Sequence, residues 1–97
     1  MPDKQIILVS LKKAKPSLAK KYGVKDLAIF GSYSRNEAIA GKSDVDIMVD
    51  FSQPIGLAFV DLADELEGLL QLKVDLVSRR GIKPKYFAVI EPDLIYV

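Results

Sequence analysis

Asp44 and Asp46 stand two residues apart at the head of the segment Val45-Asp46-Ile47-Met48-Val49-Asp50-Phe51. In a strand, period-two geometry turns both side chains to one face. Two carboxylates held side by side repel, and each raises the pKa of the other unless a cation lies between them. The pair therefore points to a metal site. Solvated aspartates at a strand end are the ordinary alternative. Asp75, between Val74 and Leu76, supplies a third carboxylate. Buried alone it would be costly unless paired or metal-bound; turned outward by alternation it is a plain surface residue. Should its strand lie beside that of Asp46, three carboxylates converge.

Gly31-Ser32 follows the apolar run Leu27-Ala28-Ile29-Phe30. A strand that ends in Gly, with Ser at a helix start, lets backbone N–H groups face an anion, and Gly permits close approach of a phosphate. A plain strand–turn–helix junction reads the same way in isolation. Arg35, one turn further on, can reach a phosphate or pair with a nearby Asp.

Composition narrows the chemistry further. The 97 residues contain no Cys, His or Trp. Thiol nucleophiles, disulfides, Cys/His zinc sites, Ser-His-Asp triads and His- or Cys-held haem are excluded. Acid–base and metal-binding groups must be carboxylates, lysines, tyrosines or hydroxyls. Metals held by carboxylates alone are hard ions such as Mg²⁺, Mn²⁺ or Ca²⁺. No apolar run approaches the roughly 20 residues that cross a bilayer, and the short run Ile6 to Val9, followed by lysines, is no signal peptide. No membrane association is expected, and the cytoplasm is the default compartment. Residues 1–25 carry seven Lys against one Asp, residues 26–72 carry two basic against nine acidic residues, and residues 73–97 carry five basic against three acidic. The Lys-rich start lacks interleaved aromatic residues and reads as a solvated helix face, so no direct nucleic-acid binding is expected.

The elements that must position these groups follow from periodicity. A first amphipathic helix is predicted over 3–14, stopped by Pro16, which opens a second short helix ending at Gly23. Lys25-Asp26 reads as a turn and 27–30 as a strand buried on both faces. Ser32 is a candidate N-cap of a short helix that Asn36-Glu37-Ala38 can continue. A loop over 39–42 leads to a strand over 45–51. Residues 55–70 form the best helix, with Phe59, Leu62, Ala63, Leu66, Leu69 and Leu70 on its apolar side. A strand over 73–78, a helix from Pro84 ended by Pro92, and a strand over 94–97 complete the order. Alternating helices and strands argue for an α/β or α+β sandwich around a central sheet. With no repeat or linker, the chain is expected to be a single domain, 1–97.

Three motifs in order then resemble the signature of the DNA polymerase β-like nucleotidyltransferase superfamily. They are Gly31-Ser32-Tyr33-Ser34-Arg35, Ser43-Asp44-Val45-Asp46-Ile47-Met48-Val49 and Val74-Asp75-Leu76-Val77. Similarity to the minimal nucleotidyltransferases, the MNT antitoxins, runs nearly end to end, with Lys21-Tyr22-Gly23-Val24, Phe30-Gly31-Ser32-Tyr33 and Ile95-Tyr96-Val97 also fitting. Two departures stand out. Minimal members usually read Arg-Gly where this chain has Arg35-Asn36, and the loop from Arg35 to Ser43 is slightly longer. Neither removes a ligand; both bear on loop geometry and substrate choice.

The resemblance implies a nucleotidyltransferase fold, a central mixed sheet flanked by helices. It implies that Asp44, Asp46 and Asp75 are catalytic and hold two Mg²⁺ ions, with Mn²⁺ as the alternative, and that Asp75 accepts the proton. It implies that Gly31 and Ser32, with Arg35 and Ser43, bind ATP or another nucleoside triphosphate. The implied reaction is transfer of AMP to a tyrosine hydroxyl of a HEPN-domain toxin, neutralising it, in a homo- or hetero-oligomer. A catalytic core with no acceptor domain fits a partner protein better than a small acceptor such as an aminoglycoside. The acidic side chains Asp61, Asp64, Glu65 and Glu67 offer one docking surface, although a solvated helix face is the simpler reading. An antitoxin that acts by binding alone is the alternative function.

Overall fold

The computed structural model describes residues 3–39 and 41–97. Of the loop expected over 39–42, Ala40 lies outside the described residues. So do Met1 and Pro2 of the expected 1–97 domain.

The first helix, α1 (Lys4–Tyr22), opens where the Asp3 side chain accepts a hydrogen bond from Ile6 N at 3.0 Å. It closes at Gly23, whose φ of 73° lets its N–H return to Ala19 O at 2.9 Å. The break expected at Pro16 does not occur; α1 runs through it. A proline inside a helix costs about 3 kcal/mol. That cost is offset because Ile7, Leu11 and Leu18, on both sides of Pro16, are all buried in one core, at roughly 1.5–3 kcal/mol each.

Strand β1 (Val24–Phe30) absorbs the turn expected at Lys25-Asp26. Its register with the next strand shifts between Val24 and Asp26, so a bulge takes up the extra residue. The one-turn helix α2 (Gly31–Ser34) begins at Gly31, and its preceding residue is Phe30, so Ser32 lies inside it and caps nothing. It is not continued by 36–38, because Asn36 takes the left-handed conformation, φ 60°. Asn is among the few residues that adopt it readily.

Strand β2 spans Val45–Phe51 and β3 spans Val74–Ser78. Between them α3 (Ala58–Leu70) starts three residues later than expected, and it buries Leu62, Leu66 and Leu70 while Leu69 stays largely exposed. A 3-10 turn (Arg79–Gly81) and α4 (Pro84–Ile90) follow. Pro92 sits inside a second 3-10 turn, Glu91–Asp93, just past the end of α4. The last strand, β4, is Ile95–Tyr96.

The sheet order is β3-β2-β1-β4, with β2 and β3 parallel and the other pairs antiparallel. Alternation divides the core between the two faces. Leu27, Ile29, Val45, Ile47 and Val49 pack with the buried residues of α1 and α3. Ala28, Phe30 and Met48 pack with Ile90 of α4, with Val77 and Phe87 against them. Asp46 and Asp75 share the alternation of Met48 and Val77, so both lie on this second face.

Candidate active site

The parallel ladder pairs Asp46 directly with Asp75. Neighbouring strands lie about 4.8 Å apart, so two such side chains on one face are immediate neighbours. Asp75 is the second residue of β3 and is exposed rather than buried mid-strand. Asp44 is exposed just ahead of β2. Asp46 is half-buried. Burial first, then the charges of Asp75 and Asp44, push its carboxyl from an ordinary 3.8 up to about 6, against a downward pull from Arg35. Asp46 thus feels the charge of both neighbouring carboxylates. Among the described residues no three acidic side chains are drawn together into a ready metal cage, as repulsion between like charges dictates.

Gly31 closes the site from the side of β1. Phe30 pairs with Asp46 across β1 and β2, and Gly31 comes next with φ 73°. A Cβ built on Gly31 would overlap Asp46 Oδ2 and lie 3.0 Å from its Cγ. Only glycine tolerates both the backbone angle and the neighbour. The first N–H groups of α2 have no intrahelical acceptor, and Phe30 gives no side-chain cap. The Gly31-Ser32 turn therefore carries unused donors beside the acid cluster.

Arg35 points elsewhere than to a free anion site. Its Nη1 donates to Asp93 Oδ2 at 2.8 Å and its Nε to Glu37 Oε1 at 3.3 Å. Those bonds hold its pKa above the usual value. The Ser34 hydroxyl donates to the Asp93 carbonyl, and Lys4 Nζ donates to the Ser34 carbonyl at 3.3 Å. Ser43 accepts from Ile39 N at 2.9 Å and braces the loop ahead of Asp44. The structure thus brings Gly31, Asp46 and Asp75 together with Asp44 close enough to act on Asp46, leaves Ser32 one residue on within α2, and engages Arg35 with Asp93 and Glu37 and Ser43 with Ile39. Asp93 was not legible as a partner of Arg35, since 58 residues separate the two and no local pattern marks it.

The acidic side of α3 divides. Glu65 accepts from Lys21 Nζ at 2.9 Å and from the Tyr22 hydroxyl at 2.8 Å, clasping α1 to α3. Glu67 accepts from Val74 N at 2.9 Å. Asp61 and Asp64 remain exposed.

A four-stranded mixed sheet carrying this acid cluster beside a Gly-Ser turn is the architecture of the nucleotidyltransferases. The chain belongs to the nucleotidyltransferase domain family, whose model matches residues 11–96. A relative from Methanocaldococcus jannaschii is 53% identical over 89 residues, covering 90% of each chain, and bears a provisional name of protein adenylyltransferase. The protein adenylyltransferase MntA of Thermococcus cleftensis is 42% identical over 84 residues, covering 86% of this chain and 84% of its own. Among solved structures, one provisionally named a minimal nucleotidyltransferase superposes with TM-score 0.79 at 34% identity, over 97% of this chain and 95% of that one. A complex of a tri-AMPylated Shewanella oneidensis HEPN toxin with its MNT antitoxin matches with TM-score 0.67 at 23% identity, over 93% of this chain and 70% of that one, which shows the fold alone. A toxin–antitoxin structure with AMP-PNP matches with TM-score 0.59 at 28% identity, over 84% and 61%. Among the described residues no helix is long and apolar enough to cross a membrane.

Proposed function

We propose that this nucleotidyltransferase moves AMP from ATP to a hydroxyl of a HEPN-domain partner protein and so acts as an antitoxin in the cytoplasm. The observation that carries the reading is the in-register pair Asp46 and Asp75, with Asp44 adjacent and the Gly31 backbone pressed against Asp46. The protein adenylyltransferase name of the Thermococcus relative and the antitoxin complexes among the structural neighbours support the choice of acceptor.

The residues fit a divalent cation. All candidate donors are carboxylate oxygens, the set suited to Mg²⁺ or Mn²⁺, and the raised pKa of Asp46, owed first to burial and then to the charges of Asp75 and Asp44, includes a repulsion that a cation would relieve. Asp44 and Asp46 would hold two Mg²⁺ ions, with Asp75 completing the catalytic one. When bound, such ions lower the pKa of an attacking hydroxyl and neutralise a triphosphate. The chain's own groups do the rest. Gly31 and Ser32 present backbone N–H donors to the β- and γ-phosphates, and the Ser32 hydroxyl adds a donor. Ser43 sets the loop that orients Asp44. Arg35 steadies the turn and adds positive potential on the nucleotide side. Asp75, the most exposed member of the pair on the strand edge, takes the proton from the acceptor hydroxyl. That hydroxyl attacks the α-phosphorus in line, the bond to the bridging oxygen breaks, and pyrophosphate leaves.

The test is label transfer from α-labelled ATP to the HEPN-domain partner in Mg²⁺, with Asp44→Ala and Asp46→Ala beside the wild type. Transfer in the wild type and its loss in both variants is expected. Label transfer that survives both substitutions overturns the assignment. Full neutralisation of the toxin by Asp75→Ala favours inhibition by binding alone.

A further inference from the structure

Asp75 sits near the start of an edge strand. It is the second residue of β3, which pairs with β2 at the margin of the sheet, and it is exposed. Segments with few buried partners open first, yet a carboxylate that must meet Asp46 needs a fixed backbone. The fixing is done one peptide earlier. The peptide group between Lys73 and Val74 is held from both sides. Its carbonyl accepts from Val45 N at 2.9 Å, and its N–H donates to Glu67 Oε2 at 2.9 Å. A trans peptide points these two groups in opposite directions, so Val45 grips it from within the sheet and Glu67 from outside. Val45 is the residue between Asp44 and Asp46. The two bonds thus link the Asp44-Val45-Asp46 segment, through the peptide that leads into Asp75, to the end of α3.

Glu67 suits that task better than it suits its own helix. It stands close to the C-terminal end of α3, where its carbonyl also accepts from Gln71 N at 2.8 Å. A carboxylate near a helix C-terminus is disfavoured by the negative end of the helix dipole, and the last turn of α3 carries no basic residue to offset it. What a carboxylate adds here is the bond to Val74, because a charged acceptor makes the stronger bond. Glu67 also comes from the wrong side to be a ligand. The buried residues of α3 pack with Val45, Ile47 and Val49 on the first face, whereas Asp46 and Asp75 lie on the second. Glu67 therefore acts on the acid cluster through the backbone.

We propose that Glu67 is a positioning residue of the acid site. It fixes the Lys73-Val74 peptide against Val45 and so sets Asp75 at the spacing from Asp46 that a divalent cation requires. The proposal rests on the cation-binding reading of that site given above. Without Glu67 the peptide keeps a single bond and turns about it, and Asp75, one residue on, turns with it. Residues that orient metal ligands without touching the metal are worth about tenfold to 100-fold in metal affinity.

The test compares the full-length wild type with Glu67→Ala, Glu67→Gln and Tyr22→Phe. The last removes a 2.8 Å bond between α1 and α3 and reports what the loss of a packing bond does by itself. Mn²⁺ binding is measured by calorimetry, and amide hydrogen exchange is read at Val45 and Asp75 on the metal-free chain. Glu67→Ala is expected to weaken Mn²⁺ binding about tenfold and to speed exchange at both amides. Glu67→Gln, which keeps an acceptor for Val74, is expected to recover most of the affinity. Tyr22→Phe is expected to bind Mn²⁺ as wild type does. Unchanged affinity or unchanged exchange in Glu67→Ala overturns the proposal. So does an equal loss of affinity in Tyr22→Phe, or a loss in Glu67→Gln as large as in Glu67→Ala. Both readouts are independent of AMP transfer, so its absence in the wild type overturns the function proposed above and not this role of Glu67. A wild type that binds no Mn²⁺ overturns this role together with the cation-binding reading.

Discussion

The carboxylate of Asp46 occupies the space that a side chain on Gly31 would need. One residue thus ties the Gly31-Ser32 turn to the acid cluster, and a methyl group at position 31 must move one or the other. Gly31→Ala also forces a non-glycine residue to φ 73°, at about 1–3 kcal/mol. Urea unfolding should show a loss of that size. Nucleotide transfer should fall at least about 100-fold, since small displacements of reacting groups carry such penalties. An unchanged rate in Gly31→Ala would remove the turn from the site.

Asp46 gives the protein a distinctive pH profile. Its folded pKa, about 6, lies above the ordinary 3.8, so between those values the folded state binds more protons than the unfolded one. Stability from this group is therefore greatest below pH 4 and is lost as pH rises through 6. At face value a shift of this size is roughly 3 kcal/mol. The carboxylate is partly solvated, and screening reduces that to about 1 kcal/mol. Asp46→Asn should be more stable than wild type by that amount at pH 7.5 and nearly equal at pH 4, as chemical unfolding at the two pH values would show. Glu65, lowered by Lys21 and Tyr22, contributes the opposite slope at lower pH, so the difference between wild type and variant is the quantity to read.

Asp93 holds α2 twice, by its carboxylate on Arg35 and its carbonyl under the Ser34 hydroxyl. Asp93→Ala removes the first grip and keeps the second. The 31–34 turn should loosen without unfolding. Amides of Ser34 and Arg35 should exchange faster, and KM for the nucleotide should rise about tenfold with a smaller change in kcat. Asp93→Asn, which keeps a neutral acceptor, should recover part of the loss. Equal KM in all three proteins would show the brace to be purely structural.

The strands were legible where alternation was strong. Val45 to Phe51 carries buried residues at 45, 47, 49 and 51 with Asp46 and Asp50 half-buried between them and Met48 buried on the other face, and its limits could be read directly. The candidate site was legible to the same degree, because Asp44 and Asp46 lie on that strand's period. Asp75 could be placed beside Asp46 only conditionally, since strand order is not a local property. Pro16 misled because a local helix breaker was outweighed by burial of Leu11 and Leu18 in a core that only tertiary packing creates. Lys25-Asp26 misled likewise, because a bulge accommodates in a strand what local chemistry assigns to a turn. The Arg35–Asp93 brace leaves no local trace at all.

The acid cluster predicts its own cation dependence. Asp46 must be ionised to hold a divalent ion, and a cation beside it would offset both the burial and the charges of Asp75 and Asp44 that disfavour its ionised form. Adding Mg²⁺ or Mn²⁺ should therefore raise the thermal midpoint at pH 7.5. At about 100 times the dissociation constant the gain is about 2.7 kcal/mol, or roughly 10 °C or more for a domain of this size. At pH 5 the gain should shrink, because Asp46 is then largely protonated. Asp46→Asn should show little gain at either pH, while Asp64→Asn, an exposed change on α3, should behave as wild type. A midpoint that rises equally in wild type and Asp46→Asn would place the cation elsewhere on the molecule.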